Sequence, residues 1–227
     1  MEQTEQFHRH DLVWLAHPAW DMLIQQQPAL AAQLRQWQQA EWPAVVRRRD
    51  GDATEHEVCI GLALPPQQGR KIRVAARVPV QQISAHQPGL SLSTAMAVAG
   101  DSAQEYLQAM QRDAQQQGIR FRVYGSLAMQ FLTGVPYMTP QSDIDLLFRP
   151  SDRQQLRLGL ALLQRYRAWL PLDGEIIFPR EQAVAWKEWA TADTLVDAHA
   201  NQRVLVKDSQ TVRLVNRQEL LDSLPST

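Results

Sequence analysis

Tyr124-Gly125-Ser126-Leu127-Ala128-Met129 is followed, eighteen residues after the glycine, by Asp143-Ile144-Asp145-Leu146-Leu147-Phe148. Phe121-Arg122-Val123-Tyr124 predicts a short strand, Gly125-Ser126 a turn into a short helix over 127–133, and Gly134 the end of that helix. A loop with Pro136 and Pro140 then leads to a second strand over 144–148. Side chains alternate along a strand, so Asp143 and Asp145 point one way while Ile144 and Leu146 point into a core. Two carboxylates thus share one patch. Like charges this close are most easily kept together by a divalent cation, and magnesium suits them, being hard and completing its shell from water and substrate phosphates. The glycine lets backbone approach a ligand, and the free amides of the helix start attract phosphate, with the Ser126 hydroxyl beside them. The two halves predict phosphates lying between helix amides and a metal on Asp143 and Asp145. That arrangement serves phosphoryl or nucleotidyl transfer with diphosphate leaving.

Such a site uses a third carboxylate as metal ligand or base. Leu172-Asp173-Gly174-Glu175-Ile176-Ile177-Phe178 supplies two, Asp173 and Glu175. Glu175 is favoured because it lies inside the more regular strand pattern, predicted over 174–178. Around this block the second half alternates helix and strand. A helix begins at Asp101-Ser102 and stops at Gly118. Ser151 with Gln154 forms a capping box before an amphipathic helix, a Trp-bearing helix surrounds Trp186 and Trp189, and a hairpin pairs 204–206 with 212–215. Asn216 caps a last helix. The first half differs: helical patterning to about residue 40, with Leu30, Leu34 and Trp37 in phase, ends at Pro43. Three strand-like runs follow, from Ala44, from Val58 to Leu64 and from Ile72 to Val80, predicting a small antiparallel meander. The boundary is set at residues 1–95 and 96–227.

Composition excludes several classes. The 227 residues suffice for a real core, and 23 basic against 24 acidic side chains leave a net charge of −1, which gives no polybasic drive toward nucleic acid or membrane. Cys59 is the one cysteine, so neither a disulfide frame nor a C-x-x-C zinc site can form. With no apolar leader and no spanning run, a cytoplasmic protein is expected. Arg47, Arg48, Lys71, Arg73 and Arg77, with Lys187 beside Trp186, could line a triphosphate cleft. The polar N-terminal His8-Arg9-His10 and the Asp197-Ala198-His199 triplet read as surface and core features rather than sites. Trp169, Trp186 and Trp189 are expected in the core, as is Cys59.

The Gly-Ser helix opening followed by an Asp-x-Asp strand resembles the nucleotidyltransferase superfamily. More closely, the run from Val123 to Gly134, then Tyr137 and Ser142 to Leu147, is similar to the malonate decarboxylase holo-[acyl-carrier-protein] synthases, or phosphoribosyl-dephospho-CoA transferases. Arg9 to Trp14, Pro43 to Arg48 and Leu172 to Glu175 with Trp186 to Trp189 support this. The resemblance implies an α+β fold, a nucleotidyltransferase-like mixed sheet with flanking helices behind a small β-rich N-terminal domain. It implies transfer of phosphoribosyl-dephospho-CoA from 2′-(5″-triphosphoribosyl)-3′-dephospho-CoA to a serine of the malonate decarboxylase acyl-carrier protein, releasing diphosphate. The family's aspartates fall on Asp143 and Asp145 and its turn on Gly125 and Ser126. The same site would also serve a nucleotidyltransferase acting from a nucleoside triphosphate on protein, RNA or a small molecule. A binding-only module is the remaining alternative, and the paired carboxylates argue against it.

Overall fold

The computed structural model describes residues 7–65, 72–193 and 202–225. Two compact units emerge: residues up to Gly89 together with Leu132–Tyr137, and Leu90–Phe131 together with the chain from Met138. Both mix helix and strand, as the sequence predicts.

The first unit is a five-stranded antiparallel sheet with two helices. Its elements are β1 (Leu12–Leu15), α1 (His17–Gln26), α2 (Ala31–Gln39), β2 (Ala44–Val46), β3 (Glu57–Ala63), β4 (Arg73–Pro79) and β5 (Ile83–Gln87), in sheet order β4-β3-β2-β1-β5. The expected meander is β2, β3 and β4; β1 and β5 extend it. Leu12–Leu15 lies inside a stretch that sequence patterning assigns to helix, yet it pairs with β2 and β5 because its apolar side chains gain burial there. The helices bury Ala19, Trp20, Leu23, Leu34 and Trp37. Cys59 is buried on β3, as its apolar setting predicts. Tyr137, on the segment that the first unit takes from the later chain, is 2 % exposed and donates its hydroxyl to the Ala63 carbonyl at 2.7 Å. Burial pushes that phenol well above its ordinary pKa.

The second unit is built on a seven-stranded sheet, β12-β11-β10-β9-β8-β7-β6. In chain order its elements are β6 (Leu90–Ser91), α3 (Leu92–Ala95), α4 (Asp101–Gln116), β7 (Phe121–Tyr124), α5 (Gly125–Thr133), β8 (Ile144–Phe148), α6 (Arg153–Tyr166), β9 (Leu172–Phe178), β10 (Gln182–Ala185), α7 (Trp186–Asp193), β11 (Arg203–Lys207), β12 (Val212–Asn216) and α8 (Arg217–Asp222). Among the described residues of this unit only β8 and β9 run parallel, joined through α6; the other pairs are antiparallel. The cap of α6 is Asp152, which accepts from the Gln155 amide at 2.7 Å, one residue later than the Ser151-Gln154 box expected. Asn216 caps α8 as expected.

Alternation gives this sheet two distinct faces. Val123, Ile144, Leu146, Phe148, Ile176, Phe178 and Val184 join the main core with α4, α6, α7 and α8. The opposite face carries Tyr124, Leu147, Ile177 and Ala183 as a small apolar cluster, and between and beside them the acids. Strand directions then gather the chemistry at one end: β7 finishes there with Gly125 following, β8 and β9 start there, and β10 finishes there with Trp186 and Lys187 next.

Candidate active site

Gly125 has φ +68°, a left-handed conformation that costs an L side chain roughly 1–2 kcal/mol. A Cβ at Gly125 would stand 2.0 Å from Asp145 Oδ2 and 3.0 Å from its Cγ. The Asp145 carboxylate therefore lies directly on the glycine backbone of the turn, and the ladder pairing Tyr124 with Asp145 puts it there. Ser126 is the next residue, partly buried, in the first turn of α5.

Asp143 is exposed in the loop leading into β8, and both of its neighbours are fixed. The Thr139 amide donates to Ser142 Oγ at 3.0 Å, the Ser142 amide donates to the Thr139 carbonyl at 2.9 Å, and the Ile144 amide donates to the Pro171 carbonyl at 2.8 Å. Ser142 is 8 % exposed and holds this turn, a positioning role that residue spacing alone does not announce.

The parallel ladder sets Asp145 opposite Asp173 and Leu147 opposite Glu175, so all three acids share a face. Gly174 makes this register possible: a Cβ there would lie 1.9 Å from the Leu146 carbonyl oxygen. Strand β9 starts at Leu172, two residues earlier than expected, and so includes Asp173. Asp173 Oδ2 lies 3.6 Å from Lys187 Nζ, and its Oδ1 accepts the Gly174 amide at 2.8 Å. Glu175 is buried and lies 3.8 Å from Lys207 Nζ, a cation that the sequence pattern did not single out. Among the described residues no three His, Cys, Asp or Glu side chains converge closely enough to hold a metal by themselves. The donor set is nonetheless hard and anionic, and it suits a cation that takes part of its shell from substrate phosphates and water.

Of the remaining cations expected at the site, Lys187 stands beside Asp173, while Lys71 lies outside the described residues, as do Asp197 and His199. Arg47, Arg48, Arg73 and Arg77 belong to the first unit. Arg47 donates to Asp50 at 2.5 and 2.7 Å and to the Ile60 carbonyl, and Arg77 donates to Asp50 at 2.8 Å and also to Asp52. These bonds hold the Asp50 carboxyl far below the usual carboxylate range and raise both guanidinium groups. Arg47 and Arg77 are thus already neutralised locally, whereas Arg48 and Arg73 are exposed. Trp186 and Trp189 are buried as expected, but Trp169 is 52 % exposed: it lies beyond the end of α6, where the next residue, Leu170, takes the core position instead.

No helix among the described residues is long and apolar enough to cross a membrane. Residues 8–88 match the model of the phosphoribosyl-dephospho-CoA transferase MdcG N-terminal domain, and residues 91–218 that of the C-terminal domain of the same protein. The chain belongs to the phosphoribosyl-dephospho-CoA transferase family. Relatives named phosphoribosyl-dephospho-CoA transferase include one from Xanthomonas euvesicatoria, 38 % identical over 93 % of this chain and 95 % of its own length. Another from Xanthomonas campestris is 37 % identical over the same shares, and one from Bradyrhizobium diazoefficiens is 34 % identical over 94 % of this chain and 92 % of its own. No solved structure matches the chain. As a member of the phosphoribosyl-dephospho-CoA transferase family the chain is an enzyme, a transferase of the nucleotidyl-transferring type.

Proposed function

We propose that this enzyme moves the phosphoribosyl-dephospho-CoA group of 2′-(5″-triphosphoribosyl)-3′-dephospho-CoA onto a serine of the malonate decarboxylase acyl-carrier protein, releasing diphosphate. The observation that carries this is the Asp145 carboxylate seated on the Gly125 backbone with Asp173 across the ladder. Asp143 and Asp145 would hold magnesium, which would supply positive charge against the charge developing on the phosphates. The α5 amides and Ser126 receive phosphate oxygens. The carrier serine oxygen bonds to the α-phosphorus, the bond from that phosphorus to diphosphate breaks, and the serine proton passes to a carboxylate. Asp173 is favoured for that third carboxylate because it faces Asp145 directly, whereas Glu175 is buried one pair further on with Lys207 beside it. Lys187, its Nζ 3.6 Å from Asp173 Oδ2, adds positive charge toward the phosphates.

Intact-mass measurement of the carrier protein tests this. Wild type with the triphosphoribosyl donor and magnesium should add the prosthetic-group mass, EDTA should stop the addition and magnesium should restore it. Asp143→Ala and Asp145→Ala should each fall below about a tenth of wild-type turnover while staying folded, since each removes an acid and no core volume. Mass added from ATP and not from the triphosphoribosyl donor would refute the substrate assignment.

A further inference from the structure

Trp169 sits on the short connection between α6 and β9 with 52 % of its surface exposed, the one tryptophan of the expected core trio that the fold leaves outside. Tyr106 stacks on one of its ring faces, with centroids 5.6 Å apart and planes inclined by only 10°. Tyr166 meets it edge-on at 6.2 Å, and the Tyr166 hydroxyl donates to Asp113 at 2.7 Å, so the supporting ring is itself fixed. Trp169 is thus held by two aromatic rings while 52 % of its surface stays open. The backbone beneath is held too: the Trp169 amide donates to the Tyr166 carbonyl at 3.0 Å, and the Pro171 carbonyl accepts from Ile144, the neighbour of Asp143.

Topology decides where this platform lies. Helix α6 leads from the far end of β8 back to the start of β9, so its C-terminal end and Trp169 reach the sheet end where Asp143 and Asp173 stand. Helix α4 leads to the start of β7, which places its N-terminal part, with Tyr106, at the same end. Trp169 lies four positions before Asp173, a span of at most about 14 Å between their Cα atoms. Arg167 is exposed on the same connection, its guanidinium carbon 6.0 Å from the Trp186 ring centroid, and Lys187 follows that ring in sequence. Trp169 lies with α4 and α6 on the helix-covered side of that sheet end and the acids on the other face, and a rigid, partly exposed indole within that reach of the acids is suited to a flat, electron-rich base joined to phosphates.

We infer that Trp169, backed by Tyr106, is a stacking platform for a purine base. Resting on the transfer reaction proposed above, that base is the adenine of the dephospho-CoA donor, two riboses away from the reacting phosphorus. Titration calorimetry on the full chain tests the platform with two fragments, 3′-dephospho-CoA, which carries adenine, and 4′-phosphopantetheine, which does not. Trp169→Ala should weaken 3′-dephospho-CoA by about tenfold or more and leave 4′-phosphopantetheine unchanged, while Trp169→Phe, which keeps a stacking face, should stay within about threefold of wild type. Equal affinity of wild type and Trp169→Ala for 3′-dephospho-CoA overturns the inference, as does an equal loss for both fragments. Transfer from the triphosphoribosyl donor is read separately by carrier mass. A wild-type chain that transfers nothing, yet whose hold on 3′-dephospho-CoA still depends on Trp169, retains the platform and refutes the proposed reaction instead.

Discussion

Replacing Gly125 by alanine separates two roles that this residue combines. The first is conformational: φ of +68° costs an L residue roughly 1–2 kcal/mol, or about 2–8 °C in melting temperature for a chain of this size. The second is spatial, since the added Cβ would be 2.0 Å from Asp145 Oδ2. To reach even the 3.0 Å that real Cβ contacts almost never undercut, the oxygen must retreat by 1.0 Å, away from the position where it would meet a metal. Displacement of a reacting group on that scale costs about a hundredfold in rate. Gly118 is the matched control, because its φ is +67° and a Cβ there meets nothing within 4 Å. Both variants should lose similar stability in thermal melts. Only Gly125→Ala should lose transfer, by about a hundredfold or more in carrier mass assays at saturating donor. If Gly125→Ala turns over within threefold of Gly118→Ala, the contact between turn and carboxylate does not govern the reaction, and the geometric basis of the site fails.

Asp173→Ala should lower turnover by at least about a hundredfold with little change in melting temperature, while Glu175→Ala should show the larger fall in melting temperature, because it removes a buried side chain and leaves Lys207 nearby without its acid; kinetics and melts on the two variants decide this, and a more active Asp173→Ala than Glu175→Ala would reverse their roles. Asp50→Asn should destabilise the first unit. Because Arg47 and Arg77 depress the folded-state pKa of Asp50, the stabilisation they give is full above the unfolded carboxyl value near 4 and is lost only as pH falls through the lower folded value. The gap in melting temperature between wild type and variant should therefore be constant from pH 7 to about 5 and shrink toward pH 2; a gap that widens on acidification would contradict the ion-pair network.

The turn and the acid strand were legible because each is written locally: a glycine followed by serine between a strand and a helix, and a period of two through Asp143, Ile144, Asp145 and Leu146. The choice between Asp173 and Glu175 was not. Both lie on one face of β9, and only the pairing with β8, fixed by the close approach at Gly174, tells which one meets Asp145. The same limit hid the state of Arg47 and Arg77, whose shared acceptor Asp50 is brought to Arg77 by a hairpin across 27 residues. β1 escaped notice because four apolar residues carry no period that tells strand from helix, and β5 because Ile83–Gln87 is polar and half exposed. Trp169 was misplaced because beyond α6 the core position falls to Leu170, while the indole rests on Tyr106 and Tyr166 at the surface.

The six residues from Leu132 to Tyr137 leave the half of the molecule that holds the acids and are embedded in the other half, where the Tyr137 phenol is bound to Ala63; only then does the chain come back to deliver Asp143. A fragment cut at Leu90 would keep every carboxylate yet carry a loose tongue with an orphaned aromatic at its tip, one short step ahead of the loop that must stand still. The half that holds the acids is therefore not a transplantable cassette, because a stretch of its own chain is anchored elsewhere.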